Sequence, residues 1–304
     1  MADMLQILFL PLLACALMTA ILSYLGIHVL KREVVFVDIA LAQIAALGAI
    51  VLHLVLGVRQ GSIPAQAGAL GATFVAAAFF AYSRRAAREI PLEAVIGVTY
   101  AIAAGATLFA AGVATGGHVH VQELLAGSIL WATWAQILGN LVAFVLVGAC
   151  FVLFRGPFNM ISQDYEGARA AGIHVGCWDF LFYALFGVVI TLTVRMAGVV
   201  VVFAFLIIPA TASALLSSRE FPRLMIAWAI GITASGTGLL FAYKWDYSVG
   251  PAVALFLGLA LASIALGRGF LPRMGTAASR RAGIPQPREA DLLGVRRKRD
   301  GSFS

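Results

Sequence analysis

Residues 158–175 read FNMISQDYEGARAAGIHV and form the one water-compatible stretch between apolar runs of membrane-spanning length. Ser162 or Asp164 is suited to cap a helix N-terminus, and Glu166 then lies near the positive end of the helix dipole. Gly172 is of the type that commonly follows a helix C-terminus. These signals predict a short helix of about three turns.

The predicted helix has one narrow face of mostly small side chains and one charged side. The narrow face consists of Tyr165, Ala168 and Ala171 or Gly172. The charged side consists of Asp164, Glu166 and Arg169. This shape suits docking into a groove of another protein, and it also suits a loop helix that lies on a membrane surface. Periodicity alone leaves both interpretations open.

The rest of the chain is too apolar for a soluble globular protein. Of its 304 residues, 62% are hydrophobic and 12% are charged, and the mean hydropathy is +0.96. Apolar runs of about 20 residues indicate membrane crossings, so we expect an all-α, polytopic membrane helix bundle with eight or nine transmembrane helices. The nine candidate runs are 4–30, 34–56, 63–82, 92–115, 129–154, 177–194, 197–217, 223–243 and 248–267.

The basic residues decide the expected orientation. With the N-terminus outside, all but three of the 21 lysine and arginine residues fall on the cytoplasmic side. The exceptions are Arg59, Arg195 and Lys244. Nine crossings then place the C-terminus in the cytoplasm, on the same side as residues 158–175.

The second apolar run carries three polar side chains, Asp38, Gln43 and His53. A carboxylate at the bilayer centre costs about 2.5–3.5 kcal/mol, so such groups usually face a bundle interior or a water-filled path. Asp38 also follows Lys31 and Arg32 closely, and a carboxylate paired at the membrane edge is the alternative.

Pro209 lies in the middle of the run 197–217 and should free a carbonyl and bend or break its helix. Thr211 follows it. These residues either border a transport path, or the threonine only satisfies the freed backbone.

A loop with two histidines separates the fourth and fifth runs, and the expected orientation places it outside. His118, His120 and Glu123 offer ligands that suit a passing divalent metal ion. Solvated loop residues without a ligand role are the alternative.

Three segments resemble the membrane subunits of the metal-transporting ATP-binding-cassette (ABC) importers, the zinc and manganese family. Residues 164–172 (DYEGARAAG) resemble the cytoplasmic segment that meets the ATPase in that family, and we call residues 158–175 the coupling segment. Residues 208–212 (IPATA) resemble the family's Ile-Pro-Ala-Ala-Thr-Ala stretch, and residues 246–255 (DYSVGPAVAL) resemble its entry into the last helix.

A fourth segment is similar to the same family but departs from its pattern. Residues 36–48 (FVDIALAQIAALG) look like a variant of the family's Asp-Ala-Leu-Ser-His stretch. Gln43 stands at the position of the histidine, and Asp38 lies one place early. The resemblance therefore implies the coupling role of residues 164–172, whereas this helix departs from the family at the positions that would contact the metal.

The resemblance implies a permease subunit for divalent metal ions, zinc or else manganese or iron, in the bacterial inner membrane. Its partners would be a second copy of the chain, cytoplasmic ATPase subunits that bind ATP, an extracytoplasmic metal-binding protein and membrane lipid. The chain itself would bind no cofactor. The expected ATPase-coupling residues are Asp164, Tyr165, Glu166, Ala168, Arg169, Ala171 and Gly172. The expected pathway residues are Asp38, Gln43, His53, Pro209 and Thr211.

Several catalytic motifs do not occur in the sequence. It contains no GxxxxGK[ST] loop, HExxH or GxSxG motif, so we expect no ATPase, metalloprotease or serine hydrolase activity of these types. An ion-coupled secondary transporter is the alternative class, for which inverted repeats and paired ionisable residues at mid-membrane are typical.

The domain organisation follows from the same composition. Residues 1–267 form the expected permease domain. Residues 268–304 carry many basic residues with Gly, Pro and Ser, which predicts a disordered cytoplasmic tail resting on anionic lipid and not on nucleic acid.

Overall fold

The computed structural model describes residues 2–59, 62–86, 90–113 and 129–270. Its helices are α1 (Ala2–Arg32), α2 (Val37–Leu56), α3 (Ile63–Ala86), α4 (Leu92–Val113), a 3-10 turn (Ile129–Trp131), α5 (Trp134–Leu153), α6 (Arg155–Gln163), α7 (Tyr165–Ala170), α8 (Val175–Ala197), α9 (Val199–Leu216), α10 (Glu220–Trp245) and α11 (Val249–Phe270). The chain divides into two units, 1–263 and 264–304. The tail expected beyond residue 270 lies outside the described residues and stays a prediction.

Nine helices in the described ranges are long and apolar enough to cross a membrane. They coincide with the nine predicted runs, which confirms the predicted all-α membrane bundle. A membrane-spanning helix forms its backbone hydrogen bonds within itself. The length of an apolar run in the sequence is therefore enough to predict such a helix. Pro209 does not break its helix, because α9 continues through this residue. The predicted break is therefore wrong, and the predicted bend stays a prediction.

The bundle has a buried centre and an exposed periphery. In the most apolar stretches of α1, α8 and α9, 56%, 61% and 56% of the residues are buried inside the protein. The corresponding shares are 28% in α4, 28% in α5 and 22% in α11. The peripheral helices therefore present apolar side chains to lipid or to another protein.

Glycines set the distance between neighbouring helices at two crossings. A Cβ atom at Gly26 of α1 would overlap the carbonyl oxygen of Leu206 in α9. A Cβ atom at Gly48 of α2 would overlap Ala72 in α3 and crowd the carbonyl group of Gly68. At both crossings the absence of a side chain lets the backbones approach closely.

A single buried residue, Gly198, connects α8 to α9. Its φ of 82° and ψ of 159° form a combination that is essentially restricted to glycine. Asp179, near the start of α8, pairs with Arg32, and Glu220, just past the end of α9, pairs with Lys31. The start of α8 and the end of α9 thus lie at the same end of the bundle, and the chain reverses direction at Gly198. We call this end, defined by these four ion-paired residues, the charged end.

Candidate functional site

The coupling segment contains two short helices instead of one. Asp164 separates α6 from α7 with an extended backbone, φ −146° and ψ 98°. Its Oδ1 accepts a hydrogen bond from the Gly167 amide at 2.9 Å and so caps α7. Of the two predicted N-caps, Ser162 and Asp164, the structure shows Asp164. The predicted helix therefore begins at an expected residue, but its six residues are shorter than the predicted three turns, and the separate helix α6 precedes it. Gly172 follows α7 with φ 81°, in agreement with its predicted position past a helix end.

Ala168 lies on the inner side of α7. It is fully buried in an apolar cluster with Ile161 and Val175. The small-residue face predicted from the spacing is therefore divided, with Ala168 packed against the chain itself. The side chains and backbone that face outwards belong to Asp164, Glu166, Arg169, Ala170, Ala171 and Gly172.

Aromatic side chains pack the coupling segment onto the bundle. The Trp178 ring of α8 lies 5.3 Å from the Phe154 ring and 5.6 Å from the Phe158 ring, measured between centroids. The Phe158 ring also lies 4.7 Å from the Phe151 ring of α5. Contacts between aromatic rings stabilise a folded protein by more than the burial of their apolar area alone. These contacts hold α6 between α5 and α8.

A buried ion cluster connects the coupling segment to three membrane helices. Arg32 Nη1 donates a hydrogen bond to Asp179 Oδ1 at 2.7 Å, and Arg84 Nη1 donates to the same oxygen at 3.2 Å. Arg32 Nε also donates to the Ser162 hydroxyl in α6 at 2.9 Å. The side chains of Arg32 and Asp179 are 0% exposed and that of Arg84 is 15% exposed. We call these three ionised residues the arginine–aspartate cluster.

Each arginine of this cluster also lies over an aromatic ring. Arg32 Cζ is 3.8 Å from the centre of the Phe182 ring, and Arg84 Cζ is 4.4 Å from the centre of the Tyr165 ring. Burial and the nearby Asp179 carboxylate raise the pKa of Tyr165, so its hydroxyl stays protonated at neutral pH. Arg84 therefore contacts α7 and α8 with one guanidinium group.

The arginine–aspartate cluster is not predicted from the sequence. In the sequence, Arg32 and Arg84 serve only as charges that set the expected orientation, and Asp179 has no expected role. A carboxylate inside the apolar run 177–194 is a usable signal, because such a group needs a partner. The identity of the partner is not readable locally, since 147 positions separate Arg32 from Asp179.

Asp38 lies in the first turn of α2 and is 1% exposed. Neither of its carboxylate oxygens has a hydrogen bond of good geometry among the described residues, although the backbone amides of Asp38 and Ile39 are close to it. The structure does not show the alternative pairing at the membrane edge, because Lys31 pairs with Glu220 and Arg32 pairs with Asp179. A buried carboxylate with free oxygens is chemically suited to receive a cation or a water molecule.

Glu93 at the start of α4 is a second carboxylate in this region that the sequence reasoning did not identify. Its Oε1 accepts a hydrogen bond from the Phe36 amide at 3.0 Å, directly before α2. Its Oε2 is buried without a partner among the described residues. Glu93 is close enough to Asp38 for the two carboxylates to interact electrostatically.

The other predicted pathway residues are spread along α2 and α9. Gln43 is half-buried in α2, Pro209 is buried in α9 and Thr211 is half-buried there. His53 Nδ1 lies 2.7 Å from the carbonyl oxygen of Val58, in the turn that follows α2. At about 1.5 Å per residue, His53 lies near the opposite end of α2 from Asp38, so the two do not meet.

The predicted metal ligands His118, His120 and Glu123 lie outside the described residues. Within the described ranges, no group of three or more His, Cys, Asp or Glu side chains is arranged to hold a metal ion. The features that the structure does bring together are the coupling segment, the arginine–aspartate cluster and the carboxylates at the start of α2 and α4.

The chain is similar to membrane proteins of known metal transport systems. It is 22% identical over 257 residues to the high-affinity zinc uptake system membrane protein ZnuB of Haemophilus influenzae, covering 83% of this chain and 94% of that protein. It is 25% identical over 135 residues to the manganese transport system membrane protein MntC of Listeria innocua, covering 44% of this chain and 48% of that protein. The chain spans about half the length of several curated relatives that it matches.

The fold is also similar to that of a solved structure. The structure of PsaBC from Streptococcus pneumoniae in complex with Fab matches with a TM-score of 0.72, over 86% of this chain and 93% of that chain, at 20% sequence identity. The family model for the ABC 3 transport family matches residues 4–267, which is most of the sequence. The chain therefore belongs to the ABC 3 transport family.

Proposed function

We propose that the chain is the membrane permease subunit of an ATP-driven importer for a divalent metal ion, zinc or manganese. The family match over residues 4–267 and the similarity to ZnuB and MntC support this proposal. The structural observation that carries it is the coupling segment, which is packed at the charged end of a bundle of membrane-length helices. A partner that binds there can act on the bundle without entering the membrane.

The proposed partners follow from the same arrangement. ATP binds to a soluble ATPase subunit, since this chain has no GxxxxGK[ST] loop. Two copies of the permease form the transporter, and the exposed apolar faces of α4, α5 and α11 offer area for that contact. An extracytoplasmic binding protein delivers the ion. The charged end faces the cytoplasm, with the N-terminus outside and the C-terminus inside.

The proposed ion path runs along α2 and α9. Asp38 and Glu93 lie at its cytoplasmic end, where buried carboxylate oxygens without hydrogen-bond partners among the described residues attract a divalent cation. The further residues proposed along the path are Gln43, His53, Pro209 and Thr211. At the outer mouth, His118, His120 and Glu123 are proposed to receive the ion weakly, because a transport site needs open positions so that the ion can leave.

The surface proposed to bind the ATPase consists of the outward-facing residues of α7, in particular Glu166, Arg169, Ala170 and Ala171. Ala168 is buried, so changing it would disturb the segment itself and would not test docking. Ala171→Arg places a long charged side chain on the proposed surface without entering the apolar cluster. The matched control is Ser248→Arg, which introduces the same side chain at an exposed residue between α10 and α11, at the end of α10 opposite Glu220.

The experiment coexpresses the permease with the ATPase, purifies the complex and measures ATP-dependent uptake of radioactive zinc or manganese into proteoliposomes with the binding protein present. We expect uptake by the parent complex, loss of both ATPase copurification and uptake in Ala171→Arg, and parental behaviour in Ser248→Arg. Uptake without ATP would favour an ion-coupled secondary transporter. If the ATPase copurifies with Ala171→Arg as it does with the parent, α7 is not part of the surface that binds the ATPase.

A further inference from the structure

The arginine–aspartate cluster joins the coupling segment to the membrane helices at one carboxylate. Asp179 of α8 holds Arg32 of α1 and Arg84 of α3 through a single oxygen, Oδ1. Arg32 also reaches Ser162 in α6, and Arg84 also reaches the Tyr165 ring in α7. Both short helices of the coupling segment are thus linked to membrane helices through an arginine.

We propose that Arg32, Arg84 and Asp179 are positioning residues that carry a movement of the coupling segment into α1 and α3, so that ATP hydrolysis on the partner is coupled to passage of the ion. The inference rests on the proposed function, in which an ATPase binds the coupling segment. It adds the route by which the bound ATPase acts on the bundle.

The cluster is unbalanced in a way that favours a second arrangement. Two guanidinium groups share Oδ1 of Asp179, while its Oδ2 and Arg32 Nη2 are buried without hydrogen-bond partners among the described residues. The Tyr183 hydroxyl lies beside the Arg32 guanidinium, also without a hydrogen bond of good geometry. Unmet buried groups of this kind cost free energy. A shift of Arg84 from Oδ1 to Oδ2 would give the unpartnered Oδ2 a hydrogen bond. The cluster would then have two discrete arrangements, and elements of this kind carry coupling between distant sites.

Arg84 is the member of the cluster best placed to move. Its side chain is 15% exposed, whereas that of Asp179 is 0% exposed. Its guanidinium contacts the Tyr165 ring and the Asp179 carboxylate together, so a displacement of α7 acts on it directly. Its helix, α3, packs closely on α2, which carries Asp38. Arg84 and α3 therefore connect the coupling segment to the helix that carries Asp38.

The test uses the complete transporter in proteoliposomes and measures the number of zinc or manganese ions transported per ATP hydrolysed. For Arg84→Gln we expect parental copurification and continued ATP hydrolysis, with this ratio reduced about fivefold or more. Arg84→Lys keeps a charge for Asp179 but loses the planar group that stacks on Tyr165, so it should recover part of the ratio. The matched control is Arg85→Gln, the same change at the exposed neighbouring residue of α3, which should keep the parental ratio.

An Arg84→Gln complex that assembles and keeps the parental ratio overturns the inference. If the Arg84→Gln complex does not assemble, the same ratio is measured for Tyr165→Leu, because this change removes the ring beneath Arg84 without changing a charge. A reduced ratio in Tyr165→Leu supports the inference, and a parental ratio overturns it. A parent complex that transports no metal ion would refute the proposed function and the inference together, so the two failures are distinguishable.

Discussion

At the scale of single residues, Asp38 combines burial with the absence of a described partner. Its carboxylate is removed from water, and both oxygens lack hydrogen bonds of good geometry among the described residues. The nearest basic residues in sequence, Lys31 and Arg32, are engaged with Glu220 and Asp179. Ionisable groups held at such a cost inside a membrane protein usually serve transport.

Asp38→Asn should lower metal uptake about tenfold, equivalent to about 1.4 kcal/mol, because a neutral amide attracts a cation far less strongly. The thermal stability should not fall, since the substitution removes the cost of burying a charge. The measurements are uptake into proteoliposomes and thermal unfolding of the purified protein. The control is Asp246→Asn at the left-handed residue after α10, a conformation that asparagine tolerates. Parental uptake in both variants would make Asp38 a structural residue.

At the scale of helices, hydropathy was sufficient to predict the nine membrane-length elements, but it did not predict how they pack. The break at Asp164 depends on whether one side chain continues a helix or caps the next, and both outcomes are compatible with the local sequence. The burial of Ala168 depends on Ile161 and Val175, which belong to two other helices. The pairing of Asp179 with Arg32 depends on the path of the whole chain between them. These features are tertiary, and periodicity carries no information about them.

The crossing of α1 and α9 gives a test at this scale. Gly26→Ala should destabilise the protein by about 1–3 kcal/mol, because the added methyl group meets the backbone carbonyl of Leu206 and not a flexible side chain. Gly139→Ala is the control, since a Cβ atom there has no neighbour within 4 Å. Thermal unfolding midpoints of the two detergent-solubilised variants provide the comparison. Equal midpoints would contradict the close contact of α1 with α9.

At the scale of the whole molecule, the distribution of charge agrees with one consistent orientation. The ion pairs of the charged end involve the ends or beginnings of α1, α3, α8 and α10, and the coupling segment is packed beside them. In the proposed topology this end lies in the cytoplasm, as the excess of basic residues there predicts.

Single cysteines test this orientation in a background without Cys15, Cys150 and Cys177. Arg59→Cys, in the exposed turn after α2, should react with a membrane-impermeant maleimide in intact cells. His174→Cys, exposed directly before α8, should react only after the membrane is permeabilised. Reaction of both cysteines from the same side would contradict the topology.

The one-residue connection at Gly198 has a mechanical consequence for the centre of the bundle. Consecutive Cα atoms are about 3.8 Å apart, so this link has no slack that would let α8 slide along α9. The ends of the two helices that meet at Gly198 must therefore move together. A displacement of α8 along its own axis would therefore also move the start of α9, the helix that contains Pro209.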